Sequence, residues 1–206
     1  MRGLLILTLT TATLLAQYKL DQTSETPAGL DAGLAKLLTK EGHRIVGADG
    51  KAICEIWLRS AAPTGAKSAE EAVSLPTLVH GAVVGVMHFP ARWSDRRGQT
   101  IKAGTYTMRY SMYPINGDHQ GAAPQRDFFL LTPVAEDKDP AATPNFDTLM
   151  NMSRKASSTP HPAVFSVWKA EPFVPGLAAA GEHDWVLQTK LGDIPVAIIL
   201  VGKSED

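Results

Sequence analysis

Cysteine is almost missing: the 206 residues contain one, Cys54. A single thiol closes no intrachain disulfide and supplies no zinc ribbon, thioredoxin-type redox pair or cysteine-ligated iron–sulfur cluster. An excess of charge is missing too, since 20 Lys and Arg face 21 Asp and Glu for a formal net charge of −1. A surface that neutralises phosphates needs a basic excess, so nucleic acid is not an expected partner. No Gly-rich loop opens a helix, no G-x-S-x-G elbow occurs, and no two histidines stand at HxH, HxxxH or HExxH spacing. The nucleotide cradle, the serine-hydrolase elbow and the local zinc motif are therefore unsupported.

What is present begins with an address. Met1-Arg2 supplies a positive charge, Gly3–Leu15 is short and apolar, and Ala16 is a small residue at its end. That order is the pattern of a secretory signal peptide, and cleavage is expected after Ala16. No cysteine follows the site, so the usual lipoprotein anchor is not expected, and neither is a transmembrane segment in the mature chain. Loss of Arg2 leaves 19 basic against 21 acidic residues, near −2. The expected product is secreted or periplasmic, with a loose polar lead-in over 17–26 and a single domain over 27–206, a length suited to one core.

Periodicity then assigns elements. Leu30, Leu34, Leu37 and Leu38 recur at helical spacing after Thr26-Pro27, with Lys36 and Lys40 toward the C-terminal end and Gly42 as a stop. The spacing predicts an amphipathic helix over 27–41. From His43 the period becomes two. Residues 43–46, the Asp49-Gly50 turn and residues 52–59 read as a hairpin in which Ala52, Cys54, Ile56 and Leu58 share a buried face. Residues 77–89 are apolar on both parities, as in a strand covered on two sides. In 104–113, Tyr106, Met108, Tyr110 and Met112 alternate with Thr105, Thr107, Arg109 and Ser111. Residues 128–134, 163–169, 185–190 and 195–201 complete the strands, and Thr143-Pro144 opens a short helix carrying Phe146, Leu149 and Met150. The expected fold is mainly β: an antiparallel sandwich or flattened barrel of about eight strands, with one N-terminal amphipathic helix and one or two short helices.

Chemistry concentrates in loops. His80 and His88 share one strand parity but lie about 26 Å apart along it, too far for one metal. His43 follows a helix stop, which accounts for it structurally. His119, His161 and His183 fall in expected loops beside Asp118, Glu182 and Asp184. Asp118, His119, His161 and His183 form the candidate set for a divalent metal, should the fold bring them together. The loop 114–127, PINGDHQGAAPQRD, exceeds an ordinary hairpin connection and also carries Arg126, whose guanidinium suits a carboxylate or phosphate. Trp93 stands in the polar stretch ARWSDRRG among three arginines, a recognition feature if exposed. With Tyr113 and Arg126 it forms the candidate ligand-binding set.

Residues 97–131 resemble uncharacterised exported bacterial proteins, with fainter echoes at 51–59 and 185–202. The sequence AGTY at Ala103–Tyr106 is similar to the strand entry of bacterial β-sandwich domains of unknown function. The resemblance implies an exported β-rich fold and transfers no catalytic residue. Three readings follow: a non-catalytic binding or accessory module for a small-molecule, carbohydrate or protein ligand; a metal-binding protein or metal-dependent enzyme; and a structural envelope protein docking through the leucine helix and residues 91–98.

Overall fold

Apolar residues at every second strand position give the sheet one continuous dry side, and helices and loops cover parts of the other. The computed structural model describes residues 18–114 and 126–204. The expected signal segment 1–16, Asp118 and His119 lie outside the described residues. In chain order the elements are β1 (Lys19–Thr23), α1 (Ala32–Leu37), β2 (Gly42–Val46), β3 (Ala52–Leu58), β4 (Val83–Phe89), β5 (Trp93–Ser94), β6 (Thr100–Ile101) and β7 (Gly104–Met112). There follow β8 (Asp127–Pro133), α2 (Phe146–Ser157), β9 (Val164–Lys169), β10 (Gly176–Ala180), β11 (Asp184–Leu191) and β12 (Ile194–Val201).

Ten strands form one antiparallel sheet in the order β1-β2-β3-β4-β7-β8-β9-β12-β11-β10, and β5 pairs only with β6. From β1 to β9 neighbours in the chain are neighbours in the sheet, apart from the small β5–β6 hairpin. The chain then crosses to β10 and returns through β11 to place β12 beside β9, a Greek-key step. The sheet is nearly closed into a barrel. Across its seam Tyr18 meets Trp185 edge to face at 5.4 Å, and His43 Nε2 lies 2.7 Å from Thr189 Oγ1.

The concave side is filled. Cys54, Ile56, Met87, Phe89, Tyr106, Met108, Tyr110, Phe129, Phe165 and Ile198 all pack into one buried cluster. Cys54 is inaccessible, and burial pushes its thiol up to about 12, as expected from strand parity. Three smaller clusters lie on the convex side. Leu34 and Leu38 cover Trp57, Val83 and Val86; Leu149 and Met150 cover Tyr113, Phe128 and Val164; Phe173 and Ala170 cover Val186 and Ile199. Among the described residues no helix is long and apolar enough to cross a membrane.

Several expectations are corrected. The strand count is higher than eight because four strands lack a sustained apolar pattern. β1 lies in the supposed loose lead-in and is an edge strand whose Lys19, Asp21 and Gln22 are exposed; β10 is Gly-Leu-Ala-Ala-Ala; β5 and β6 have two residues each. The first helix spans six residues instead of 27–41. Gly29 at φ +83° breaks the chain ahead of it, and Asp31 is the N-cap, accepting from the backbone of Gly33 at 2.7 Å and Leu34 at 3.3 Å. At its other end Leu38 leaves the helix to bridge with Arg59. The second helix is capped by Asn145, which accepts from Thr148 N at 3.0 Å.

Candidate functional site

The ends of the strands define two rims. At one rim stand the β2–β3 turn, the start of β9 and the β10–β11 turn, and the segment 90–103 lies across it. Asp95, only 1% exposed, organises that segment. It accepts from the backbone of Arg97 and Gln99, both at 3.0 Å, and from Gln99 Nε2 at 2.7 Å. Arg97 and Gln99 both donate to the Pro162 carbonyl, at 2.6 and 3.1 Å. Arg96 donates Nε to both oxygens of Asp184, at 3.0 and 3.1 Å. The polar, arginine-rich stretch is thus pinned to β9 and β11, which accounts for Arg96 and Arg97 without a ligand.

Trp93 remains. Paired with Ile101 in the short β5–β6 ladder, it is half-buried with its Nε1 sealed and unpartnered. Its ring lines a cleft of about 400 Å³ together with Tyr18, Ala52, Ile53, Arg92 and the β2–β3 turn. Gly50, at φ +78°, closes that turn. Asp49 and Lys51 sit on the cleft's lip, their charges 3.4 Å apart. The backbone N–H of Lys51 holds the Asp49 carboxyl below its usual range. Arg92 is exposed and makes no ion pair among the described residues.

The other ligand candidates sit beyond the far ends of β7 and β8. Tyr113 is 8% exposed beneath α2, stacked on Phe128 at 4.4 Å, and burial pushes its phenol up to about 12. Arg126 donates Nε to the Tyr113 carbonyl at 2.6 Å and Nη2 to Glu70 Oε2 at 2.7 Å, and also reaches the Glu71 carbonyl. Its guanidinium fastens the 70–71 loop to the sheet. Next to it the inaccessible carboxylate of Asp127 accepts from Tyr110 at 2.6 Å, Ser74 N at 2.8 Å and Leu75 N at 3.2 Å. A cleft of about 650 Å³ opens there among Lys67, Ser74, Lys169 and Asp193, and among the described residues no aromatic ring lines it.

The metal candidates are distributed likewise. His161 and His183 are both exposed at the Trp93 rim, whereas the described anchors of the 115–125 loop, Pro114 and Arg126, belong to the opposite rim. His183 faces Glu182 at 3.9 Å, and the neighbouring Asp184 is engaged by Arg96. Among the described residues no group of three His, Cys, Asp or Glu is placed to hold a metal ion.

Two polar arrangements escaped the sequence reading. On the convex face of β7, Arg109 is fully buried and uses every guanidinium N–H. Nε and Nη2 hold Asp137 at 2.7 Å each, while the remaining donors reach the carbonyls of Gly81, Ala142 and Asp139 at 2.5, 2.6 and 2.8 Å. Thr107 Oγ1 adds a 2.5 Å bond to Asp137. The available signal was an arginine at mid-strand between Met108 and Tyr110, which demands a buried anion. Nearby, His80 Nε2 lies 3.0 Å from Ser111 Oγ, the spacing of a base and a nucleophile. Burial lowers the His80 pKa, but Ser111 is inaccessible and lines neither cleft just described, so the pair satisfies buried polar atoms.

Of the other aromatic side chains, Trp57, Tyr106 and Tyr110 are buried, and Trp168 and Trp185 are half-buried. The leucine helix lies on its own barrel, over Trp57. Comparison with family models, with curated proteins and with solved structures finds no match to this chain.

Proposed function

We propose that this chain is an exported, non-catalytic binding module that receives a small ligand in the cleft between Trp93, Tyr18 and the β2–β3 turn. The observation carrying the reading is that Trp93 stands at a concave surface instead of packing wholly into the core. A volume of about 400 Å³ falls in the range of small-molecule sites, about 300–1,000 Å³. The floor is apolar, from Ile53, Ala52 and two aromatic rings, while the charges stand on the lip. The cleft also rests on rigid parts, since the Asp95 network and the Arg96–Asp184 pair hold the strand that presents Trp93. Preorganisation of this kind lowers the entropic cost of binding.

Export is part of the proposal and rests on the N-terminal pattern. The protein released on expression with its leader should begin at Gln17, and N-terminal sequencing reads this directly; an intact leader on the mature pool would remove export. The binding reading is tested by titrating the ¹⁵N-labelled protein with indole and with phenyl β-glucoside, probes with one flat face each. Shifts should concentrate at the Trp93 indole and at Ala52 and Ile53, and Trp93→Phe identifies its signal among the four tryptophans. A response confined to the Lys67–Asp193 cleft, or none at all, would defeat it.

A further inference from the structure

We infer that the Trp93 cleft selects a small ligand with a flat apolar body and one anionic group, an aromatic carboxylate being the simplest example; the inference rests on the cleft being a binding site. The argument is one of charge. Among the described residues three charged side chains line the cleft: Asp49, Lys51 and Arg92. Asp49 is already compensated, with Lys51 Nζ at 3.4 Å and the Lys51 backbone N–H at 3.1 Å. Lys51 is correspondingly matched to Asp49. Arg92 alone is uncompensated, with no hydrogen bond or ion pair among the described residues, although its neighbours Arg96 and Arg97 are both fastened to carboxylates.

The cleft therefore presents a net positive charge at its lip and apolar rings below. Asp95, the nearest acid in sequence, is inaccessible and engaged by Arg97 and Gln99. It offers Arg92 no counter-charge. A guanidinium is the group best suited to a carboxylate, because its planar fork donates two parallel N–H bonds. A flat body laid against Trp93 and Tyr18 would bring a substituent one or two bonds longer to the lip. A cation of the same shape would meet Arg92 unfavourably, and a neutral ligand would leave it unused.

The test uses three probes of one shape: indole-3-acetate, indole-3-acetamide and tryptamine. Each is titrated into the purified ¹⁵N-labelled protein, with the Trp93 indole N–H and the Ile53 amide as reporters. The acetate should bind about threefold to tenfold more tightly than the acetamide, as for a partly exposed charge-assisted contact, and tryptamine most weakly. Arg92→Ala, an exposed change outside the core, should bring the acetate down to the acetamide's affinity and leave the acetamide unaffected. Equal affinities for all three, or tightest binding by tryptamine, would overturn the anion preference while keeping the cleft as a site. No response of either reporter to any probe would overturn both.

Discussion

Replacing Arg109 by methionine removes the one buried cation of β7 while nearly preserving its volume. The Asp137 carboxylate, 7% exposed, then keeps only Thr107 as a donor among the described residues, and the carbonyls of Gly81, Ala142 and Asp139 lose the guanidinium N–H groups. Removing one member of a buried pair costs about 3–5 kcal/mol, since the partner's charge stays behind. With a urea m-value of about 2–3 kcal/mol/M for a domain of this size, the midpoint should fall by roughly 1–2.5 M. The assay is urea unfolding followed by far-ultraviolet circular dichroism and by tryptophan fluorescence, whose coincidence checks two-state behaviour. Arg109→Lys retains the charge but not the planar fork, and should fall between wild type and Arg109→Met. Adding Asp137→Leu to Arg109→Met should recover part of the loss, giving a coupling of at least about 2 kcal/mol. A loss below about 1 kcal/mol, or strictly additive singles, would refute the assignment of Arg109 as the fastener between the sheet and the 137–142 loop.

Three further outcomes are expected. Burial lowers the pKa of His80 below its usual 6.5, so on acidification the unfolded chain takes up the proton first. Stability should be insensitive to this group above about pH 6.5 and fall as pH drops from there toward the folded-state pKa; His43 is shifted the same way. Urea midpoints at about pH 7.5 and about pH 5.5 should show the decline, with a smaller one in His80→Asn, and parallel profiles would refute it. Gly81 sits at φ +81°, and an added Cβ would lie 2.5 Å from the Pro144 carbonyl oxygen. Gly81→Ala should cost at least about 1–3 kcal/mol in the same unfolding assay, and an unchanged midpoint would count against the close approach. Cys54, inaccessible and with its thiol at about 12, should resist a thiol-specific chromogenic disulfide in the native state and react only at the rate of unfolding; rapid stoichiometric labelling would contradict its burial.

The sequence by itself determined the elements whose signal is local. Alternation in 104–112 put Tyr106, Met108 and Tyr110 on the dry face, the same parity buried Cys54, and the Asp49-Gly50 turn paired β2 with β3. It also singled out Trp93 as a tryptophan out of place among arginines. Tertiary structure decided what depends on partners distant in the chain. A polar edge strand such as β1 has no hydrophobic period to betray it, because its reason for being extended is the backbone ladder with β2. The α1 helix stops at Leu37 because the sheet offers Leu38 and Thr39 hydrogen bonds that compete with another helical turn. Arg126 suited either a ligand clamp or a bond to loop carbonyls, and its partners Glu70 and Glu71 come from a loop more than fifty residues earlier. Sequence lists donors and acceptors but not who meets whom, so only the folded chain could show that Arg126, Arg109 and Asp127 are fasteners. It also placed His161 and His183 at one rim and the anchors of the His119 loop at the other. Among the described residues the same geometry left Arg92 without a counter-charge beside Trp93, and no spacing along the chain could have shown that.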